Sequence, residues 1–249
     1  GVSAVLGVHL WGSAANTPAI MEWAEERNLK VYWDSSQAIG CSINNKRIGG
    51  FASLEVFSLH ATKIISAQEG GCIATNDALL AERLRNIRSS YGVKKTTPVV
   101  KTANGRMSEF QAAIALLSLE DYEKNVAHND LLRGVYQEYL QDISGVELEP
   151  LHGVTLSNQQ SVVIRVDKES LNMSRDDLMK ALKFENVLAR RYFYPGAHRV
   201  DQFSHFAHFT LPNTDILSEQ ILALPIGGRI FEEDVKKICK LIEVIAKNG

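Results

Sequence analysis

The chain is poor in the features that would mark several large classes of protein. It has only three cysteines in 249 residues, Cys41, Cys72 and Cys239, far apart and without the spacing of metal ligands. That excludes a disulfide framework and a cysteine-built metal site, and it points to reduced thiols in a cytosolic compartment. No apolar run reaches the length of a membrane span, and the apolar start Val2–Leu10 lacks a basic leader and a cleavage pattern. Charge of one sign is also missing as a block: 27 Lys plus Arg are interspersed with 29 Asp plus Glu, for a net charge of −2. Neither a polyanionic partner such as nucleic acid nor a membrane surface is expected, although a local basic pocket remains open. There is no internal repeat and no low-complexity tract. The composition, 45% hydrophobic, is that of a soluble, cytoplasmic globular protein with one large domain or two smaller ones.

What is present is an alternation of short apolar strands with helices. Ser3–Leu10 reads as a buried strand. Thr17-Pro18 then offers a cap and a first-turn proline for a helix running to about Lys30. Val31–Trp33 forms a second strand that ends at Asp34. Strand, helix and strand in this order, with short connections, are the βαβ grammar of a mainly parallel sheet. Ligands meet such sheets outside the carboxyl ends of the strands, where Asp34 stands. Asp34 is equally a helix cap, since Ser-Ser follows it. Gln37, one turn on, is placed to act with it, the first as an anion and the second as an amide donor.

The densest chemistry lies in Glu55–Cys72, EVFSLHATKIISAQEGGC. An apolar strand delivers Ser58 and His60, and Lys63 follows in a loop. A lysine that starts near a buried strand end is desolvated, which lowers its pKa and frees its amine to attack a carbonyl; the alternative is an ordinary surface lysine. His60 is either a partner of that lysine or a packed, hydrogen-bonded residue. Cys72–Thr75 makes a further strand, and Asn76-Asp77 caps a helix with Leu80, Leu84 and Ile87 on one face.

The strings VHLWG, DSSQAIG, FSLHATKIISAQEGG, TND and NGRMSEFQAA resemble the successive motifs of the DegT/DnrJ/EryC1/StrS sugar aminotransferases. The resemblance runs from Val8 to the C-terminus. It implies the aspartate-aminotransferase-like α/β fold (pyridoxal-phosphate fold type I), with pyridoxal 5'-phosphate as cofactor. By that resemblance Lys63 is the lysine that holds the cofactor as a Schiff base and, released, carries a proton. Asp34 pairs with the pyridine nitrogen, Gln37 lies near the ring and its 3′ oxygen, Ser58 bonds the phosphate, and His60 stands near the catalytic lysine. Asn104 matches the asparagine that reaches the cofactor phosphate of a neighbouring subunit, which implies a homodimer with shared sites. As a residue alone, Asn104 followed by Gly105 is a turn signal.

After the resembling motifs, Met107, Phe110, Ile114 and Leu117 form an apolar stripe that is core or interface. From about Asp121 a long polar helix ends near Ser144, and a second domain begins. The expected division is 1–120 for the C-terminal part of an incomplete large domain and 121–249 for a small α/β domain. That domain is expected to hold strands at Ser161–Val166 and Leu188–Phe193, a Ser174-capped helix, and a C-terminal helix with Val235, Ile238, Ile242 and Ile245 on its inner face. Glu185–Arg199 is similar to the subgroup that aminates C4 of nucleotide-linked 4-keto-6-deoxy sugars. Arg190, Arg191, Tyr192 and His198 in that run suit a nucleotide-sugar, or they make a solvated strand edge.

The family's large domain begins well before Gly1, and its Gly-Thr phosphate-binding turn and ring-stacking aromatic are not in this sequence. Three functions are therefore expected in turn: amino transfer, with glutamate as donor, to a nucleotide-linked keto-deoxysugar; a related sugar dehydration; or a non-catalytic partner subunit. Relatives that dehydrate carry His at the lysine position, so Lys63 favours the first.

Overall fold

A computed structural model describes residues 1–89, 99, 101–206 and 210–248. The chain divides into two units, Gly1–Val126 with Leu151–Gln160, and Ala127–Pro150 with Ser161–Gly249.

In the first unit the opening βαβ is β1 (Ala4–Val8), α1 (Thr17–Glu26) and β2 (Lys30–Asp34). Asn16, rather than Thr17, caps α1 by accepting the Ala19 N–H, with Pro18 in the first turn. The helix stops short of Lys30 because Asn28 turns left-handed, at φ 53°. The hairpin β3 (Ser42–Ile43) and β4 (Lys46–Arg47) turns through Asn44 and Asn45, both at positive φ as a tight hairpin requires. β5 (Leu54–Ser58) and β6 (Gly71–Ala74) complete a four-stranded sheet of order β1-β2-β5-β6, parallel except at β6.

The register explains the two faces of this sheet. Gly7, Trp33, Glu55 and Ala74 share one rung, and on that face Ala24 of α1 packs with Val31 and the fully buried Trp33. A Cβ on Gly7 would lie 2.0 Å from the Trp33 ring, so only glycine fits there. The next rung, Val8, Asp34, Val56 and Ile73, faces the other way. Val8, Val56 and Ile73 are exposed there, as is Leu6. β1 is thus not the buried strand its apolar run suggests: among the described residues it pairs on one edge only, and its Leu6–Val8 face is uncovered.

Two helices finish the unit. α2 (Ala78–Arg88) is capped by Asp77, which accepts the Leu79 and Leu80 N–H groups. α3 (Glu109–Glu120) starts in a Ser108–Gln111 capping box. None of its residues is fully buried, and Phe110, Leu116, Leu117 and Leu119 are exposed. The stripe of Phe110 and Leu117 is therefore not core.

α4 (Tyr122–Leu140) begins in the first unit and continues into the second. There, β7 (Val146–Leu148), β8 (Val162–Val166) and, beyond three α-helices, β9 (Ile221–Leu224) form an antiparallel sheet of order β7-β8-β9. The intervening helices are α5 (Lys168–Leu171), α6 (Arg175–Phe184), capped by Ser174, and α7 (Pro212–Gln220). α8 (Glu232–Asn248) closes the chain, with Val235, Ile238, Cys239 and Ile242 buried at helical spacing. They join Leu132, Tyr136, Ile164, Leu178, Leu182 and Leu222 in one core. Each such side chain contributes about 1.5–3 kcal/mol by leaving water.

Leu188–Phe193 is not a strand. Arg190 exchanges both backbone hydrogen bonds with Ala223, at 2.9 and 2.8 Å, as an isolated bridge. The run does not extend the sheet because the next side chains are held elsewhere. Arg191 reaches Asp176 at 3.4 Å, and Tyr194 lies against the Arg175 and Arg191 guanidinium groups. The bridge lies on β9, the edge strand next to β8, whose ILAL run is too short to stand out from its neighbours in sequence.

Candidate active site

The carboxyl ends of the first unit's strands gather most of the candidate residues. Asp34 closes β2; its Oδ1 accepts the Ser36 N–H at 3.0 Å, and its backbone oxygen accepts the His9 N–H at 2.9 Å. Ser58 closes β5, and its Oγ accepts the His60 N–H at 3.2 Å. The Lys63 N–H bonds the His60 carbonyl at 2.9 Å, a tight turn that presents the lysine directly beyond β5. Burial lowers the Lys63 pKa below its ordinary value, and the Asp34 carboxylate acts against that shift by favouring the charged amine. Lys63 and Asp34 thus belong to one electrostatic site although one follows β5 and the other ends β2.

Gln37 lies on the turn after Asp34. Its Oε1 accepts the Trp11 N–H at 2.9 Å. That contact fixes which end of the amide faces inward to the chain, and it leaves the Nε2 group as a donor without a partner among the described residues. Ser58 is similarly set: its oxygen is used as an acceptor, and its hydroxyl proton is available.

His60 is more open than the lysine, with its side chain 46% exposed. Its Nδ1 accepts the Thr62 N–H at 3.2 Å and meets the Thr62 hydroxyl at 2.9 Å, while Nε2 lies 3.7 Å from Glu69. The ring is tied to its own loop. Asn104 is exposed and held against the end of α2, where Ala103 and Gly105 donate to the Ile87 and Arg88 carbonyls, and its Oδ1 accepts from Arg106 Nε at 3.3 Å.

Arg190, Arg191, Tyr192 and His198 belong to the second unit. Arg190 donates to the Tyr192 hydroxyl at 3.0 Å, so these two share a face, and both are accessible. Arg191 pairs with Asp176, and His198 meets Asp215, which Arg199 also grips. Those contacts hold the Asp215 carboxyl at about 2.

Several residues of the site do not announce themselves in the sequence. Glu55 is completely buried, and its carboxylate accepts Gly49 N–H, Phe51 N–H and the Ser35 hydroxyl at 2.8, 2.6 and 3.3 Å. It secures Ser35, the residue next to Asp34. His9 is also fully buried, stacked on Trp33 with ring centroids 4.4 Å apart. Its Nδ1 accepts the Ala15 N–H at 3.1 Å, and burial lowers its pKa to about 4 despite the opposing Asp34 charge. The only signals available were a glutamate inside an apolar strand and a histidine at the end of one. Asn158 and Gln160, from the returning segment 151–160, complete the surroundings.

The DegT/DnrJ/EryC1/StrS aminotransferase family model matches residues 2–243. The chain belongs to this family. Among characterised relatives of this DegT/DnrJ/EryC1/StrS member, it is 30% identical over 243 residues to the dTDP-4-amino-4,6-dideoxy-D-glucose transaminase of Shigella dysenteriae, covering 97% of this chain and 66% of that protein. It is 29% identical over 244 residues to the UDP-N-acetyl-3-dehydro-alpha-D-glucosamine 3-aminotransferase of Acidithiobacillus ferrooxidans, covering 96% and 63%. The structure of DesI in the presence of its TDP-sugar product superposes with a TM-score of 0.95 at 34% identity, over 100% of this chain and 63% of that one. The chain thus spans slightly less than two thirds of the length of these relatives. The fold is the mixed α/β, mainly parallel arrangement of the aspartate-aminotransferase class. Among the described residues no helix is long and apolar enough to cross a membrane.

Proposed function

We propose that the protein transfers an amino group from glutamate to a keto group of a nucleotide-linked deoxysugar, with pyridoxal phosphate held at Lys63. The observation that carries this reading is the partly desolvated Lys63 amine, with its lowered pKa, in the field of the Asp34 carboxylate.

The donor set suits the cofactor: an amine for its carbonyl carbon, a carboxylate for its ring nitrogen, an amide N–H for its ring oxygen and a hydroxyl for its phosphate. When bound, pyridoxal phosphate supplies an electron-withdrawing ring that stabilises negative charge on the carbon next to the transferred nitrogen. The protein's part is positional and protonic. Lys63 Nζ, kept below the usual lysine pKa by burial, is the group that takes up and returns a proton. Asp34 holds a positive charge facing it, and Gln37 Nε2 and Ser58 Oγ orient by donating hydrogen bonds. His60 acts from the mouth of the loop. Arg190, Arg191, Tyr192 and His198 supply the cationic and aromatic groups for a nucleotide-sugar.

We further propose a homodimer in which Asn104 serves the partner's site. The exposed apolar residues of α3, which follows Asn104 in sequence, support it. Wild-type protein should sediment as a dimer and Leu117→Asp as a monomer; a wild-type monomer overturns this part.

The chemistry is tested by adding pyridoxal phosphate to the purified protein and following its visible absorption. The band should shift on binding and be absent in Lys63→Ala; an unshifted wild-type spectrum refutes the reading, and it favours a non-catalytic partner. Glutamate and nucleotide keto-sugars are then screened by mass spectrometry. A product that has exchanged oxygen for nitrogen supports amino transfer, whereas loss of the elements of water without added nitrogen identifies a dehydratase.

A further inference from the structure

Segment 157–160, Ser-Asn-Gln-Gln, lies nearly a hundred residues beyond Lys63 yet is built into the same unit. Ser157, Asn158 and Gln159 are buried, and Asn158 completely so. Such a polar run leaves water only when its groups find partners. Ser157 Oγ donates to the Gly12 carbonyl at 2.8 Å. Asn158 Nδ2 donates to the carbonyls of Gln37 and Ile39, at 3.1 and 2.9 Å, and its Oδ1 accepts the Gln160 N–H at 3.0 Å. The segment is thereby fastened to the turn that carries Gln37.

Gln160 then reaches the lysine loop. Its Oε1 accepts the Ile64 N–H at 3.2 Å and its Nε2 donates to the Thr62 carbonyl at 3.0 Å. Those two groups belong to the peptide bonds on either side of Lys63. One planar side-chain amide therefore bridges both peptide units of the lysine, much as a neighbouring strand would, and the His60 carbonyl takes the lysine's own N–H. With both flanking peptides held, the φ and ψ of Lys63 are set, and with them the direction in which its side chain leaves the backbone.

We propose that Gln160 is a positioning residue for Lys63, and that Asn158 keeps Gln160 in register with the Gln37 turn. This rests on the function proposed above for Lys63. The bridge needs both ends of a primary amide at the length of glutamine. Asparagine, one methylene shorter, cannot span both groups, and alanine offers neither.

The test uses the full chain with Gln160→Ala and Gln160→Asn, first without cofactor. Hydrogen exchange at the Ile64 amide should be at least about tenfold faster in both variants, while the β1–β2 ladder amides keep their wild-type rates. The pH profile of Lys63 acetylation, read by mass spectrometry, should move to higher pH as the amine escapes its partly buried setting. With pyridoxal phosphate and substrates, kcat should fall by about 10- to 100-fold with a smaller change in KM, as expected for a misaimed catalytic group. Wild-type Ile64 exchange in the variants would show that the bridge does not hold the loop. Faster exchange with an unmoved acetylation profile would make Gln160 merely structural; either result overturns the proposal. Failure of wild-type protein to bind pyridoxal phosphate would instead overturn the function, while the exchange and acetylation arms still decide the bridge.

Discussion

Replacing Glu55 by glutamine probes how the first unit pins the turn beside Asp34. The wild-type carboxylate is completely buried and accepts three hydrogen bonds: Oε1 from Phe51 N–H at 2.6 Å, and Oε2 from Gly49 N–H at 2.8 Å and the Ser35 hydroxyl at 3.3 Å. Glutamine has one acceptor oxygen. Its best orientation keeps that oxygen on Gly49 and Ser35, which turns the NH2 group against the Phe51 N–H, donor against donor. One charge-assisted bond, of about 1.5–3 kcal/mol, is lost, and the remaining two weaken to ordinary strength. A net loss of about 3 kcal/mol follows, and at about 2–4 °C per kcal/mol for a chain of this size the melting midpoint should fall by about 6–12 °C. Thermal unfolding followed by circular dichroism measures it. Glu55→Ala, which leaves all three donors unpaired, should fall further. A Glu55→Gln midpoint within about 1 °C of wild type would refute the reasoning, because it would mean that the three contacts carry no net stability. Weakening of the Ser35 contact should also loosen Asp34, so pyridoxal phosphate should bind more weakly to the variant at a temperature where it is still folded.

Two further outcomes follow from charge. Asp34→Asn removes the carboxylate that opposes the burial shift of Lys63, so the Lys63 pKa should drop further and its acetylation profile should move to lower pH; a move to higher pH refutes the coupling. His9, at about 4 when folded against an ordinary 6.5, binds fewer protons in the native than in the unfolded chain between those values. Its contribution to stability is therefore complete above about pH 6.5 and is lost as pH falls toward 4, by up to about 3 kcal/mol. Urea midpoints at pH 7 and pH 4.5 should diverge in wild type and draw closer in His9→Phe; an equal spread in both would exclude His9 as the cause.

What the sequence by itself determined was local. The βαβ opening, the Asp77 and Ser174 caps, the acidic start of α8 and the positions of Asp34 and Lys63 at strand ends all follow from short-range patterns: periodicity, capping chemistry and the placement of polar residues after apolar runs. The same patterns misread Leu188–Phe193 as a strand, because alternation cannot show that Arg191 and Tyr194 are claimed by Asp176 and Arg175. They also passed over β9, and they left the α3 stripe open between core and interface. Only the tertiary structure decided which face of β1 is covered, that Glu55 is a buried anchor, that Gln37 presents its N–H end, and that segment 151–160 returns to the lysine's unit. Those are pairings between groups tens to a hundred residues apart. No local propensity encodes such a pairing, since a glutamine that bridges the peptides of a lysine has the same sequence context as one left in water.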